Sequence, residues 1–138
     1  MFRKIGLDIG SKSCGIALSD PLGITAQGKE NFKFEEYEWD ILIERLDYYF
    51  KEYEIDKIII GYPTYPSGDK SNTTYMIEEV AELIKDKFKK DIIFIDENYT
   101  TKRSHEVMIQ AGMSREKRKN FKDKLSAQLI LEDYLQRI

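Results

Sequence analysis

Lys4-Ile5-Gly6-Leu7-Asp8-Ile9-Gly10-Ser11-Lys12 is the stretch on which the reading of this chain turns. Ile5, Leu7 and Ile9 alternate with Lys4, Gly6, Asp8 and Gly10, the period-2 pattern of a strand with one aliphatic face. The other face carries a single carboxylate between two glycines, so a large ligand could come close to Asp8. Asp is disfavoured inside strands, which makes Asp8 a candidate site carboxylate on a rigid element rather than an incidental surface charge. A second apolar run, Cys14-Gly15-Ile16-Ala17-Leu18, follows the turn-like Gly10-Ser11-Lys12-Ser13. Its small alternate residues Gly15, Ala17 and Ser19 suggest that the two strands frame a shallow acidic pocket.

Outward from this stretch, the 138 residues suit one domain, 1–138, large enough to bury a core without staples. With 41% hydrophobic and 34% charged residues the chain reads as globular and soluble, not disordered. Nothing approaches the ~20 apolar residues of a membrane span. The opening Met-Phe-Arg-Lys runs into a strand and does not resemble a signal peptide, so a cytoplasmic location with no membrane partner is expected. The lone cysteine, Cys14, excludes an internal disulfide and a cysteine metal site, and its place on the aliphatic face of the second strand predicts core packing. A net charge of −3 argues against coating nucleic acid through bulk charge. A local basic stretch nevertheless exists: Arg115, Lys117, Arg118, Lys119, Lys122 and Lys124, with Lys102 and Arg103 before it. Such a run also suits a solvated helix face.

Asp20-Pro21-Leu22-Gly23 has the residues of a tight turn, and a third strand is expected from about Ile24 to Phe34. The period then changes. Trp39, Leu42, Ile43, Leu46, Tyr49, Phe50 and Tyr53 fall on one helical stripe, predicting a helix from about Glu35 to Tyr53. Lys57-Ile58-Ile59-Ile60, stopped by Gly61 and Pro63, reads as a strand buried on both faces. A loop by composition follows, and Ser71 or Asn72 can cap a second helix with core positions Met76, Ile77, Val80, Leu83, Ile84 and Phe88. Asp91-Ile92-Ile93-Phe94-Ile95 predicts another buried strand, ending in Asp96-Glu97. Thr100 or Thr101 would cap a helix closing at Ala111-Gly112, and the basic stretch leads into a last helix from about Asn120 to Gln136. The expected fold class is therefore α/β: a mixed five-stranded sheet, an antiparallel meander plus two parallel strands, with helices on both faces.

In that sketch Glu97 follows the last strand, and ligands of open α/β sheets gather at the carboxyl ends of strands. Asp123 begins a helical stripe with Ala127, Ile130 and Tyr134, although an acid near a helix start is also what the helix dipole favours. Asp8, Glu97 and Asp123 could thus converge. Three carboxylates a few Å apart repel unless a cation neutralises them. Oxygen ligands with little His and no available Cys point to Mg²⁺ or Mn²⁺. Such ions support in-line displacement at a phosphodiester. Lys12, Lys102, Arg115, Arg118, Lys119 and Lys122 are the candidates for holding backbone phosphates. His105, alone on a helix, reads as structural more readily than as a proton shuttle. Tyr62 and Tyr65 suit either a base-stacking platform or local packing.

Several blocks then resemble one family in order, over nearly the whole chain. They are Gly6-Leu7-Asp8-Ile9-Gly10-Ser11-Lys12; Gly15-Ile16-Ala17-Leu18-Ser19-Asp20-Pro21-Leu22-Gly23-Ile24; Gly61-Tyr62-Pro63 with Gly68; Asp96-Glu97 with Thr100-Thr101; and Asp123-Lys124-Leu125-Ser126-Ala127 with Leu129-Ile130-Leu131-Glu132-Asp133-Tyr134-Leu135. They are similar to the YqgF family of pre-16S rRNA nucleases, also described as Holliday-junction-resolvase-like. The resemblance implies a ribonuclease H-like fold and Asp8, Glu97 and Asp123 as the metal-binding acids. It further implies a bacterial cytoplasmic hydrolase that matures the 5′ end of 16S rRNA. The chain departs from the family pattern at Asn98, where Arg is usual, and at Tyr65 and Ser67, where Asn and Asp are usual.

The leading expectation is a metal-dependent endonuclease of structured RNA, a monomer or homodimer. The same site acting on a four-way DNA junction, and a non-catalytic nucleic-acid-binding module, are the alternatives. A phosphotransferase of the sugar kinase and actin group, whose phosphate loop Asp8-Ile9-Gly10-Ser11 resembles, would need a second such domain to clamp ATP.

Overall fold

The alternation of residues 4–9 becomes strand β1 (Arg3–Ile9), which pairs antiparallel with β2 (Ser13–Ser19), Asp8 opposite Gly15. β2 in turn pairs antiparallel with β3 (Ala26–Lys33). Helix α1 (Trp39–Glu52) crosses over to β4 (Ile55–Tyr62), which lies parallel to β1 on its other side. Helix α2 (Asn72–Phe88) leads to β5 (Asp91–Asp96), parallel to β4, and α3 (Arg115–Arg137) closes the described chain. The strand order is β3-β2-β1-β4-β5, the expected mixed sheet with β1 at its centre. The computed structural model describes residues 2–63, 71–96 and 114–137, and of residues 115–124 it describes the backbone alone. The expected helix from Thr100 or Thr101 to Gly112 lies outside these residues.

The alternation in β1 and β2 divides the core in two. Ile5, Leu7, Ile9, Cys14, Ile16 and Leu18 face one way and pack with Leu42, Leu46 and Tyr49 of α1 and Ile77, Val80 and Ile84 of α2. Ala17, Ile59 and Ile95 face the other way and pack with Ala127, Ile130, Leu131 and Tyr134 of α3. The small residues of the second face are there for α3. A Cβ built on Gly6 would lie 2.9 Å from Leu131 Cβ and 3.0 Å from the Ala127 carbonyl oxygen, so the helix backbone rests directly on β1. Ala17 is fully buried beneath it and Ser19 nearly so. The shallow pocket expected along Gly15, Ala17 and Ser19 is thus corrected: a helix fills that surface, and only its far end, at Asp8, stays partly open.

Other boundaries moved for identifiable reasons. β3 begins at Ala26, not Ile24, because the Asp20 carboxylate accepts the Ile24 and Thr25 N–H groups at 2.7 and 2.8 Å and holds them in the turn. Gly23, at φ 71°, donates to the Asp20 carbonyl and closes the tight turn read from its residues. α1 begins at Trp39, not Glu35, since Tyr37 takes a left-handed φ of 62° that no helix continues through. On α2, Ser71 caps as expected and forms a reciprocal box with Thr74. Thr74 and Ala81 are buried on that helix, while Leu83, one 100° step away from buried Ile84, is 42% exposed and not a core residue. β5, expected to be buried, is an edge strand of the described sheet, and its Phe94 is 41% exposed. α3 starts at Arg115, five residues before the expected Asn120, so the basic stretch belongs to the helix itself.

α1 is tied to the opposite edge strand by charge as well as by packing. Arg45 donates to Glu30 Oε2 from Nε at 2.9 Å and from Nη2 at 2.5 Å, and the Tyr49 hydroxyl donates to the same oxygen. The Arg45 guanidinium also stands 4.6 Å above the Tyr48 ring.

The contact at Gly6 predicts that Gly6→Ala forces α3 off the sheet and costs about 1–3 kcal/mol, as overpacked cores do. Urea unfolding should show a lowered midpoint with an unchanged slope. An unaltered midpoint would mean that α3 does not sit on β1 in this register.

Candidate active site

Three contacts fix the direction of α3 across the sheet. Ala127 and Leu131 meet Gly6 on β1, and Gln128 Oε1 accepts from the Gly28 N–H on β3 at 3.0 Å. Leu135 reaches the β2–β3 turn at Gly23, on the side where the Lys4 N–H donates to Ser19 Oγ at the start of β1. α3 therefore runs antiparallel to β1, its carboxyl end over the start of that strand. Position 123 is one turn before Ala127, about 6 Å back along the axis. Asp8 is two residues beyond Gly6, about 7 Å along β1. The backbone of position 123 thus comes level with Asp8 on the face where Asp8 points.

The parallel strands bring their carboxyl ends to the same edge. Leu7 pairs with Ile60 and Gly61 with Ile95, and the last pair is Tyr62 with Asp96. Gly61, next to the level of Asp8, has no side chain to fill the floor between β1 and β5. Asp96 is exposed at the end of β5, and Glu97 follows it in sequence but lies outside the described residues. The side chain of Asp123 is likewise outside. Among the described residues no three of His, Cys, Asp or Glu gather closely enough to share an ion, and of the expected trio Asp8 alone has a described side chain. The helix start at Arg115 does remove one competing account of Asp123. An acid in the third turn gains little from a dipole effect confined to the first.

The donor chemistry at this edge can be assessed from Cys14. It pairs with Ile9, faces the α1–α2 side of the sheet and is fully buried. Burial first, and then the charge of the Asp8 carboxylate, push its thiol well above the usual cysteine range. Cys14 is thus a neutral core thiol turned away from the Asp8 face. Carboxylate oxygen is what the described edge presents, and it suits a hard cation such as Mg²⁺ or Mn²⁺.

Lys12 is exposed in the β1–β2 turn, a few residues past Asp8. Arg115, Arg118, Lys119 and Lys122 lie on the first turns of α3, while Lys102, Thr100, Thr101, Arg103 and His105 are outside the described residues. So are Asn98, Tyr65 and Ser67. Tyr62 packs locally: its hydroxyl donates to Glu78 Oε1 at 2.8 Å and its ring lies 4.7 Å from that of Phe94. A feature the sequence did not reveal is the loop before α1. The Phe34 N–H donates to the Lys12 carbonyl and the Tyr37 N–H to the Ser11 carbonyl, both at 2.9 Å, so the turn after Asp8 is held from outside the sheet. No local signal marks a non-glycine residue with positive φ, and the apolar stripe had absorbed this segment into the helix.

Residues 2–137 match the profile of a family described as RuvX, Holliday junction resolvase. A protein of Mycoplasmopsis pulmonis (strain UAB CTIP) named "Putative pre-16S rRNA nuclease" is 40% identical over 136 residues, covering 98% of this chain and 93% of that protein. One of the same name from Streptococcus thermophilus (strain ATCC BAA-491 / LMD-9) is 40% identical over 137 residues, covering 99% of each. Among solved structures, T. thermophilus RuvC in complex with a Holliday junction substrate superposes with a TM-score of 0.62 at 13% identity, over 99% of this chain and 96% of that one. The fold is accordingly ribonuclease H-like, as the sequence blocks implied.

The placement of Cys14 predicts that a thiol-specific reagent labels the native protein at pH 8 roughly a hundredfold more slowly than the urea-unfolded chain. Equal rates would put the thiol at the surface and reopen the question of sulfur at the site.

Proposed function

The chain belongs to RuvX, a Holliday junction resolvase family of nucleases, and on that footing we propose that it is a Mg²⁺- or Mn²⁺-dependent endonuclease of structured RNA. Its proposed substrate is the 16S rRNA precursor, cut in 5′-end maturation in the cytoplasm. The observation that carries the reading is the antiparallel lay of α3 on β1, which supports bringing position 123 to the level of Asp8. The names of the 40%-identical relatives supply the substrate.

Asp8, Glu97 and Asp123 would hold the metal. Asp8 is fixed on the central strand, Asp123 on the helix packed against that strand, and Glu97 follows the end of β5. When bound, Mg²⁺ or Mn²⁺ supplies Lewis acidity to the phosphodiester and eases deprotonation of the attacking water. The three carboxylates would hold the cation, whose charge offsets their mutual repulsion. Lys12, Lys102, Arg115, Arg118, Lys119 and Lys122 would bind neighbouring phosphates and keep the strand in line. Hydrolysis joins the water oxygen to phosphorus and breaks the bond to the 3′-oxygen, which leaves with a proton as the 3′-hydroxyl.

The family description favours a second reading, cleavage of a four-way DNA junction by a homodimer that cuts paired strands symmetrically.

Labelled 16S precursor RNA incubated with the purified protein should be cut with Mg²⁺ or Mn²⁺ and left whole with chelator. Asp8→Asn, which removes a charge and almost no volume, should keep the fold by circular dichroism and lose roughly a hundredfold or more in cleavage rate. Near-normal cutting by that variant would remove Asp8 from the site. Symmetric cutting of a junction with the RNA untouched would favour the second reading, and binding without cutting would favour a non-catalytic module.

A further inference from the structure

We propose that Tyr37 is a stacking platform for an unpaired base of the RNA, placed at the rim of the site by the turn that follows Asp8. This deepens the nuclease reading and rests on it. Tyr37 is 58% exposed. Its backbone is pinned by the 2.9 Å hydrogen bond from its N–H to the Ser11 carbonyl, while Phe34 holds Lys12 in the same way. Ser11 is three residues past Asp8, so their Cα atoms are at most about 11 Å apart. That is about three base steps along a strand. Tyr37 is therefore tied to the turn that leaves the site, with its ring beside Trp39 on the α1–α2 side of the sheet, so an RNA strand would reach it by passing the sheet edge at Lys12.

The ring is held as well as exposed. Its centroid is 6.0 Å from that of Trp39, tilted by 58°, and Trp39 in turn meets Phe34 edge-on at 5.8 Å. A φ of 62° disfavours any residue with a side chain, and glycine would occupy it freely. Backbone states of this kind, when the surroundings enforce them, gather at ligand sites. Here the surroundings are an aromatic cluster and two backbone hydrogen bonds to the site's own turn.

The neighbours decide which part of a nucleic acid would lie here. Glu35, Glu36 and Glu38 are exposed beside Tyr37. Carboxylates repel phosphates, so this is not a backbone track. They accept readily from base amino groups, and an aromatic ring offers a stacking face to any base. A single-stranded base splayed onto Tyr37, with its amino edge toward the glutamates, satisfies both. Lys12, exposed in the turn held by Phe34, would meet the adjoining phosphate.

The test compares two RNA hairpins, one blunt and one with a single-stranded 5′ tail carrying 2-aminopurine, with Ca²⁺ in place of Mg²⁺. Wild type should bind the tailed hairpin and quench the 2-aminopurine fluorescence. Tyr37→Gly suits the left-handed backbone and should still fold by circular dichroism, yet bind the tailed hairpin at least about fivefold more weakly, with the quenching lost and blunt-hairpin binding unchanged. Tyr37→Trp should bind and quench as wild type does. If Tyr37 served only its left-handed backbone position, glycine would be the harmless substitution. Equal tailed-hairpin affinity and quenching for wild type and Tyr37→Gly would overturn the role of Tyr37 and leave the nuclease reading standing. Failure of wild type to bind either hairpin would overturn that reading, and the stacking site with it.

Discussion

The contact between Gly6 and the backbone of α3 is the constraint on which the rest of the molecule depends. With the Ala127 carbonyl oxygen 3.0 Å from where a Cβ would stand, the helix lies as close to the central strand as a backbone can. That closeness fixes height and register together. Leu131 is locked against Gly6, Gln128 reaches across to Gly28, and the carboxyl end of the helix is carried to the turn at Gly23. The amino-terminal half then has one direction left, toward the carboxyl ends of β1, β4 and β5. A side chain at position 6 would lift the helix and break the register that brings position 123 over Asp8.

Charge is arranged to match. The chain is acidic overall, yet the first ten residues of α3, 115 to 124, contain six lysines and arginines against Glu116 and Asp123. The basic residues thus belong to the turns of α3 nearest Asp8, while the rest of the chain carries a net charge of −7. A net repulsion for polyanions with a local attraction favours a few defined phosphate contacts over nonspecific coating. The interior follows the same logic. The strongly perturbed Cys14 thiol is kept neutral by burial, on the far side of the strand from the carboxylate edge.

Much of this was legible in the sequence because it is written in short-range patterns. Period-2 alternation located β1 and β2 and divided their faces, so Cys14 in the core and Asp8 on the opposite face followed directly. The Asp20–Gly23 turn and the Ser71 cap were read from residues whose local chemistry is unambiguous. What escaped depends on partners far away in sequence. The glycine face of β1 looked like an approach for ligand, and only the position of α3 shows that most of it is an approach for a helix. Phe94 lies in an apolar run that reads as fully buried, but exposure at a sheet edge is set by strand order. Leu83 fits an apolar count and misses the stripe by one helical step. The left-handed Tyr37 has no composition signal, since its conformation is imposed by Ser11 and the aromatic cluster. As for the site, the sequence supplied three acids, and the fold accounts for how two of their backbone positions come level.

The metal site proposed for Asp8, Glu97 and Asp123 draws its three acids from separate elements. Calorimetric titration of Mn²⁺ into the wild type and into Asp8→Asn, Glu97→Gln and Asp123→Asn tests it without reference to any substrate. A shared site predicts that each single change weakens Mn²⁺ binding by roughly tenfold or more, and that a second change adds far less than the first, because the ion is held by the set. Wild-type affinity in any one variant, or losses that simply add, would mean that the three acids do not share an ion.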